Sequence, residues 1–142
     1  MLLAALCSIA LVALSTFVHY EVLRWCNDLL PRARFIARRA KVLAAIAMAM
    51  CSHALHILLF ALAYYLLQDG AGLGTIAGHF QNVLSSFLFF STETYTSLGY
   101  GDMYPLGQIR MLVGIEALTG LLMISWTASF TYLEMSRFWE NA

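Results

Sequence analysis

The seven residues Thr96-Ser97-Leu98-Gly99-Tyr100-Gly101-Asp102 carry the chain's most specific chemistry. Gly99 and Gly101, at alternate positions, can adopt left-handed backbone angles at little steric cost. Alternating such angles turns successive carbonyls toward one side of the loop. A ring of backbone carbonyls can stand in for the hydration shell of a cation. Ser97 adds a hydroxyl oxygen as a further ligand, while Leu98 and Tyr100 point away and pack behind the loop. The chemistry implied is cation coordination, with no covalent step. No nucleophile–base pair stands out elsewhere, so the chain is not expected to be an enzyme.

This polar, glycine-rich loop sits inside a very apolar chain. Of the 142 residues, 61% are apolar and 11% are charged, against roughly 45–50% and about 25% in soluble domains. The chain is therefore expected to be an all-α integral membrane protein. Such a loop belongs at membrane depth only where it lines a water- or ion-filled path. The formal net charge of zero suggests no nucleic-acid partner. The three cysteines, Cys7, Cys26 and Cys51, are far apart in apolar segments and read as small buried hydrophobes. No cofactor is expected.

About 20 apolar residues span a bilayer, and three segments qualify: from Leu2 to about Leu23, from Val42 to about Leu67, and from Ile109 to about Leu133. The first lacks a basic leader region and a clear cleavage site, so it reads as a retained helix. The stretch from His79 to Thr94 is too short and polar to span. The division expected is an N-terminal helix over 1–24, a basic loop over 25–41, a pore domain over 42–136 and a tail over 137–142. Within the pore domain lie an outer helix (42–67), a pore helix (about 80–95), a filter (96–101) and an inner helix (109–135).

Arg24, Arg32, Arg34, Arg38, Arg39 and Lys41 hold six of the eight basic residues. The positive-inside rule places this loop in the cytoplasm. The N-terminus is then outside, the C-terminus cytoplasmic, and the segment from His79 to Gly101 enters and leaves from the outer face. The arginines do not repeat every third position within an apolar span, so they set topology and meet anionic lipid rather than sense voltage. Tyr20, Trp25, Tyr64, Tyr65, Tyr104, Tyr132 and Trp139 fall near the predicted interfaces.

The run from Phe89 to Pro105, with Ser97-Leu98-Gly99-Tyr100-Gly101 as filter and Asp102 after it, resembles the pore helix and selectivity filter of simple bacterial two-transmembrane potassium channels. The resemblance covers roughly residues 79–135, and the N-terminal helix is additional to that plan. It implies a K⁺-selective, passive channel in a bacterial inner membrane. K⁺ would be coordinated at Ser97, Leu98, Gly99, Tyr100 and Gly101, with Thr96, Glu93 and Asp102 supporting the filter. One chain supplies one wall of the pore, so this mechanism needs a homotetramer, with K⁺ and membrane lipid as its other partners. The resemblance also implies a carboxyl pair of Glu93 and Asp102 behind the filter, sharing a proton because two close carboxylates in a low dielectric do not both ionise. Gly120 falls at the family's hinge and Arg110 at the start of its inner helix. Phe89 and Phe90 stand where the family often has tryptophans, and Ser97 and Leu98 replace the commoner Thr and Val. The rival readings are a poorly selective cation channel and a non-conducting scaffold or channel subunit.

Other polar residues lie within the spans. Glu116, a candidate inner-helix modulator, either lines the pore or hydrogen-bonds to the pore helix. His53 and His56 share a helix face near Cys51 and read either as helix-packing hydrogen bonders or as part of a metal or proton sensor. His19, Glu21 and Arg24 read as an interfacial polar cluster. Gly114 and Gly120 permit close packing or bending, and Trp126 or Phe130 would narrow the cytoplasmic mouth.

Overall fold

A computed structural model describes residues 1–70, 72–79, 81–99 and 101–139. The chain runs α1 (Leu2–Leu29), α2 (Arg38–Gly70), β1 (Gly74–Gly78), α3 (Leu84–Tyr95), β2 (Met103–Gly107) and α4 (Ile109–Trp139). Three of these helices, α1, α2 and α4, are long and apolar enough to cross a membrane. The chain is a multi-pass, all-α membrane protein, as the composition indicated.

α1 at its C-terminal end and α2 at both ends outrun the apolar segments. α1 ends at Leu29, five residues beyond the expected boundary of 24, and α2 begins at Arg38, ahead of 42. Hydropathy marks the thickness of the hydrocarbon, whereas a helix continues into the polar interface until the chain must turn. Here Pro31 lies in the turn, and the Lys41 ammonium donates to the Pro31 carbonyl at 3.3 Å across it.

α1 lies along α4 and α2, while α2 packs on α3 and α4. At one end of α1 the Met1 ammonium donates to Gln108, just before α4. At the other, Asn27 accepts a hydrogen bond from Arg137 near the end of α4 at 3.0 Å. α1 therefore runs parallel to α4, with its N-terminus on the side where α4 begins.

A short sheet was not anticipated. β1 and β2 pair antiparallel, with Gly74 opposite Gly107 and Gly78 opposite Met103. The His79 amide donates to the Asp102 carbonyl and the Ile109 amide to the Leu73 carbonyl, each at 2.9 Å, extending the ladder at both ends. Gly74 and Gly78 are what allow this pairing. A Cβ on Gly74 would lie 2.0 Å from the Leu106 carbonyl oxygen, and one on Gly78 2.0 Å from that of Asp102. Pro105 fits because a two-stranded sheet consists only of edges.

Two apolar clusters hold the elements. Phe60, Ala61, Tyr64, Ile76, Phe87, Phe90, Met103, Ile109 and Leu112 join α2, both strands, α3 and α4 at the end nearer the filter. Cys26, Leu30, Val42 and Ala45 join α1 to α2 at the other end, with Phe130 and Met135 of α4 against them. Buried hydroxyls within the spans turn back onto their own helices, Ser8 to the Ala4 carbonyl at 2.8 Å and Thr119 to that of Ile115 at 2.7 Å. The most apolar stretches of α1, α2 and α4 are only 22%, 33% and 28% buried. One chain thus leaves most of its apolar surface for lipid or for further chains.

Candidate functional site: the glycine-rich loop and its support

The site begins where α3 ends. Thr96 closes the helix, its amide on the Thr92 carbonyl at 3.1 Å and its hydroxyl on the same oxygen at 2.8 Å. The chain then takes positive φ at alternate residues, 57° at Ser97, 56° at Gly99 and 84° at Gly101. Ser97 is the one described non-glycine residue with positive φ, a conformation that costs an L-residue about 1–2 kcal/mol. It is held by its amide, which donates to the Thr94 carbonyl at 3.0 Å.

The next two amides converge on a single acceptor. The Glu93 carbonyl receives Leu98 N–H at 2.9 Å and Gly99 N–H at 3.3 Å. The loop's amides are thereby turned toward the end of α3. Among the described residues, the carbonyls of Thr96, Ser97, Leu98 and Gly99 accept no backbone hydrogen bond. Such a loop can offer a row of oxygens to a dehydrated cation. The C-terminal end of α3, with its partial negative charge, lies beside it. Tyr100, expected among the coordinating residues, lies outside the described residues.

The supporting residues occupy different environments. The Glu93 side chain is buried, whereas Asp102 is exposed and its carbonyl holds the His79 amide. Thr96, Ser97, Gly99 and Gly101 are exposed in the single chain. Leu98, expected to pack behind the loop, is 60% exposed. Phe90 is buried and stacks edge-on against Tyr64 with centroids 5.4 Å apart, while Phe89 is largely exposed.

Glu116 is fully buried among α2, α3 and α4. Tyr64 of α2 and Ser91 of α3 both hydrogen-bond its carboxyl group. The Ser91 hydroxyl also reaches the Ile57 carbonyl at 2.9 Å. A carboxyl enclosed in this way braces α3 between the two spanning helices and does not face a water-filled path. Gly120 is a close-approach position, since a Cβ there would meet the Tyr95 carbonyl oxygen at 2.0 Å. α4 is helical through it.

The histidines form a second constellation. His19 of α1 and His53 and His56 of α2 are all buried and adjacent. The Tyr95 hydroxyl stands 2.8 Å from His53 Nδ1 and 3.0 Å from His56 Nδ1. Thr127 Oγ1 stands 2.9 Å from His53 Nε2 and 3.2 Å from His19 Nε2. Ser52 Oγ stands 3.2 Å from His19 Nδ1 and 3.4 Å from His56 Nε2. Six side chains from α1, α2, α3 and α4 thus close a ring. His19 was expected beside Glu21 and Arg24, but those two form an ion pair of their own at 2.6 Å, and His19 turns inward. The one available signal was that Ser52, His53 and His56 fall within about one turn of α2. Cys51, by contrast, is exposed. Trp126 packs against His19, their ring centroids 5.2 Å apart, and Phe130 against the Cys26 cluster. Both therefore meet other helices of the same chain.

Comparison with known proteins places this arrangement. The model of a family described as ion channel matches residues 52–135, from the middle of α2 through the loop to α4. The inward rectifier potassium channel Kirbac3.1 of Paramagnetospirillum magnetotacticum is 35% identical over 80 residues, which cover 56% of this chain and 25% of that protein. The voltage-gated potassium channel KCNC3 of Homo sapiens is 42% identical over 78 residues, 51% of this chain and 10% of that protein. The chain thus spans a quarter or less of the length of these relatives. No solved structure matches it.

Proposed function

The chain belongs to the ion channel family, and from that premise we propose that it forms a K⁺-selective pore. Four copies surround an axis, and each contributes the loop Ser97-Leu98-Gly99-Tyr100-Gly101. K⁺ sheds its water, passes in single file between carbonyl oxygens and moves down its electrochemical gradient. The relatives named as potassium channels support the choice of ion.

The observation that carries this reading is the alternation of positive φ at Ser97, Gly99 and Gly101, with two amides gathered on the Glu93 carbonyl. A loop that only reversed the chain would need neither feature. Carbonyls that accept no backbone hydrogen bond among the described residues need a partner, and a ring of such loops around a cation supplies one. Glu93 and Asp102 act behind the loop as a carboxyl pair sharing a proton. The basic loop between α1 and α2 faces the cytoplasm, so the N-terminus and filter face outward and the C-terminus inward, in a bacterial inner membrane.

The test is flux of K⁺ against Na⁺ through purified protein in liposomes, with Ba²⁺ as blocker and Gly99→Ala as control. K⁺-selective, Ba²⁺-sensitive flux that the variant loses is the expected result. Equal fluxes of K⁺ and Na⁺ would leave a poorly selective cation channel. No flux from folded tetramers under any membrane potential would leave a non-conducting subunit.

A further inference from the structure

The ring of His19, His53 and His56 has the composition of a metal site as well as of a packed core. One ring nitrogen from each histidine lies within 4.8 Å of the other two. A tetrahedron with metal–nitrogen bonds of about 2.0 Å has edges of about 3.3 Å, so each ring needs to move by less than the width of an atom. Three nitrogen donors suit zinc, nickel or copper and not magnesium or calcium, which take oxygen.

The proton count points the same way. Three neutral imidazoles bring three N–H groups, and the hydroxyls of Ser52, Tyr95 and Thr127 bring three protons more. That is one proton for each of the six contacts. The closed ring therefore holds all three imidazoles neutral, which is the form that ligates metal. Each imidazole keeps one N–H on a hydroxyl oxygen and one lone pair. Metal-bound histidines use this arrangement, with the second nitrogen tied to an oxygen that fixes the ring.

Taking the three lone pairs leaves three hydroxyl protons without an acceptor. Ser52 and Thr127 lie inside helices, where a hydroxyl can turn to the carbonyl four residues earlier, as Ser125 and Ser129 do here at 2.8 Å and 3.1 Å. Tyr95 has no such outlet. Its oxygen already sits within 3.0 Å of His53 Nδ1 and His56 Nδ1, so it becomes the fourth donor when both imidazoles carry their proton on Nε2, toward Thr127 and Ser52, and bind the metal through Nδ1. Its proton leaves to solvent, and the phenolate offsets one of the two positive charges.

We propose that His19, His53, His56 and Tyr95 form a tetrahedral binding site for a late first-row transition-metal dication, with Zn²⁺ as its reference ligand. The site would clamp α1 and α2 to the last residue of α3, one residue before the loop of carbonyls. It stands apart from the filter, so it holds whether or not the channel reading does.

The test uses the full chain, free of any affinity tag and stripped with chelator, in detergent. It is dialysed against micromolar Zn²⁺, and the metal is counted per chain. Co²⁺ absorption then reports the geometry. One Zn²⁺ per chain and the intense visible bands of tetrahedral Co²⁺ are expected. His19→Gln and His53→Gln, on separate helices, should weaken binding by more than about 100-fold and Tyr95→Phe by about 10–100-fold. His79→Gln, which removes the remaining histidine, should change nothing. Substoichiometric Zn²⁺ on folded wild-type protein, or octahedral Co²⁺ spectra, would overturn the site without needing any variant. Binding that survives both histidine substitutions, or that is lost with His79, would also overturn it. Unchanged affinity in Tyr95→Phe would remove Tyr95 as the fourth ligand.

Discussion

Glu116 has a carboxyl group with no charged partner among its hydrogen-bond contacts, enclosed by Tyr64 and Ser91. The Ser91 hydroxyl has one proton and two oxygens within reach, the Ile57 carbonyl and the carboxyl. Both contacts are filled at once when the carboxyl itself donates. A primary amide can reproduce that pattern, donating to Ser91 and accepting from Tyr64. Glu116→Gln should therefore fold and melt within experimental error of wild type in detergent, whereas Glu116→Leu leaves Ser91 on the Ile57 carbonyl but strands the buried Tyr64 hydroxyl, at about 1–3 kcal/mol. Equal melting of the two variants would show that the hydrogen bonds contribute nothing. Gly120 gives a steric counterpart. The Tyr95 carbonyl, 2.0 Å from where a Cβ would sit, is backbone and cannot swing aside. Gly120→Ala should push α4 off the end of α3 and cost about 1–3 kcal/mol. Gly114→Ala meets nothing within 4 Å and should be silent in the same melting experiment. The sequence exposed Glu116 as a buried-carboxyl problem and Gly120 as a small residue in a span. It did not name their partners, because a partner is chosen by how two helices rotate about their axes, and apolar spans carry little amphipathic pattern to fix that rotation.

Among the elements, the spanning helices were legible because length and hydropathy suffice to define them. The short helix α3 was expected from its place between polar residues and the glycine-rich loop, but it begins at Leu84 and not near residue 80. The β1–β2 pair was not expected. Its strands are five residues each, and their glycines and proline are the residues that ordinarily argue against a strand. What overrides propensity is approach distance, since two backbones this close exclude a Cβ at Gly74 and Gly78. The pair ties the end of α2 to the start of α4 and anchors Asp102, the residue after the loop, through the His79 amide. Gly78 also holds a φ of +107°, so Gly78→Ala carries both a clash and a strained backbone. Amide hydrogen exchange should then rise across residues 74–79 and 103–107 while the interior of α2 stays protected. Unchanged protection in the strands would mean that this pairing is not what holds the loop's outer end. The histidine ring was missed for a related reason. His19 lies 33 residues before Ser52 and 108 before Thr127, and nothing local in the chain announces that these positions share a depth and a side.

At the scale of the whole molecule, the proposed pore needs more than one chain. The loop residues Thr96, Ser97, Leu98, Gly99 and Gly101 are exposed, and the spans bury no more than 33% of their most apolar stretches. Lipid can cover the apolar faces, but it cannot cover a row of carbonyls, because hydrocarbon offers no hydrogen-bond donor and leaves each unpaired group at a cost of several kcal/mol. In the proposed pore, water or cations reach the loop while lipid is kept from it, and further copies of the chain arranged around the loop would achieve this. Leu98 then becomes the informative residue. Isolated, it is 60% exposed. In the proposed tetramer it would pack behind the loop against a neighbouring chain, out of reach of the ions. Native mass spectrometry of the detergent-solubilised protein should give four chains as the principal species. Leu98→Ser should shift that distribution toward monomer at dilutions where wild type stays tetrameric, and the helical circular dichroism of each chain should not change. A folded monomer that conducts K⁺ in liposomes at single-copy reconstitution would refute the assembly. A Leu98→Ser tetramer of undiminished stability would mean that the leucine faces lipid, and that the loop's carbonyls are turned inward by some other contact between chains.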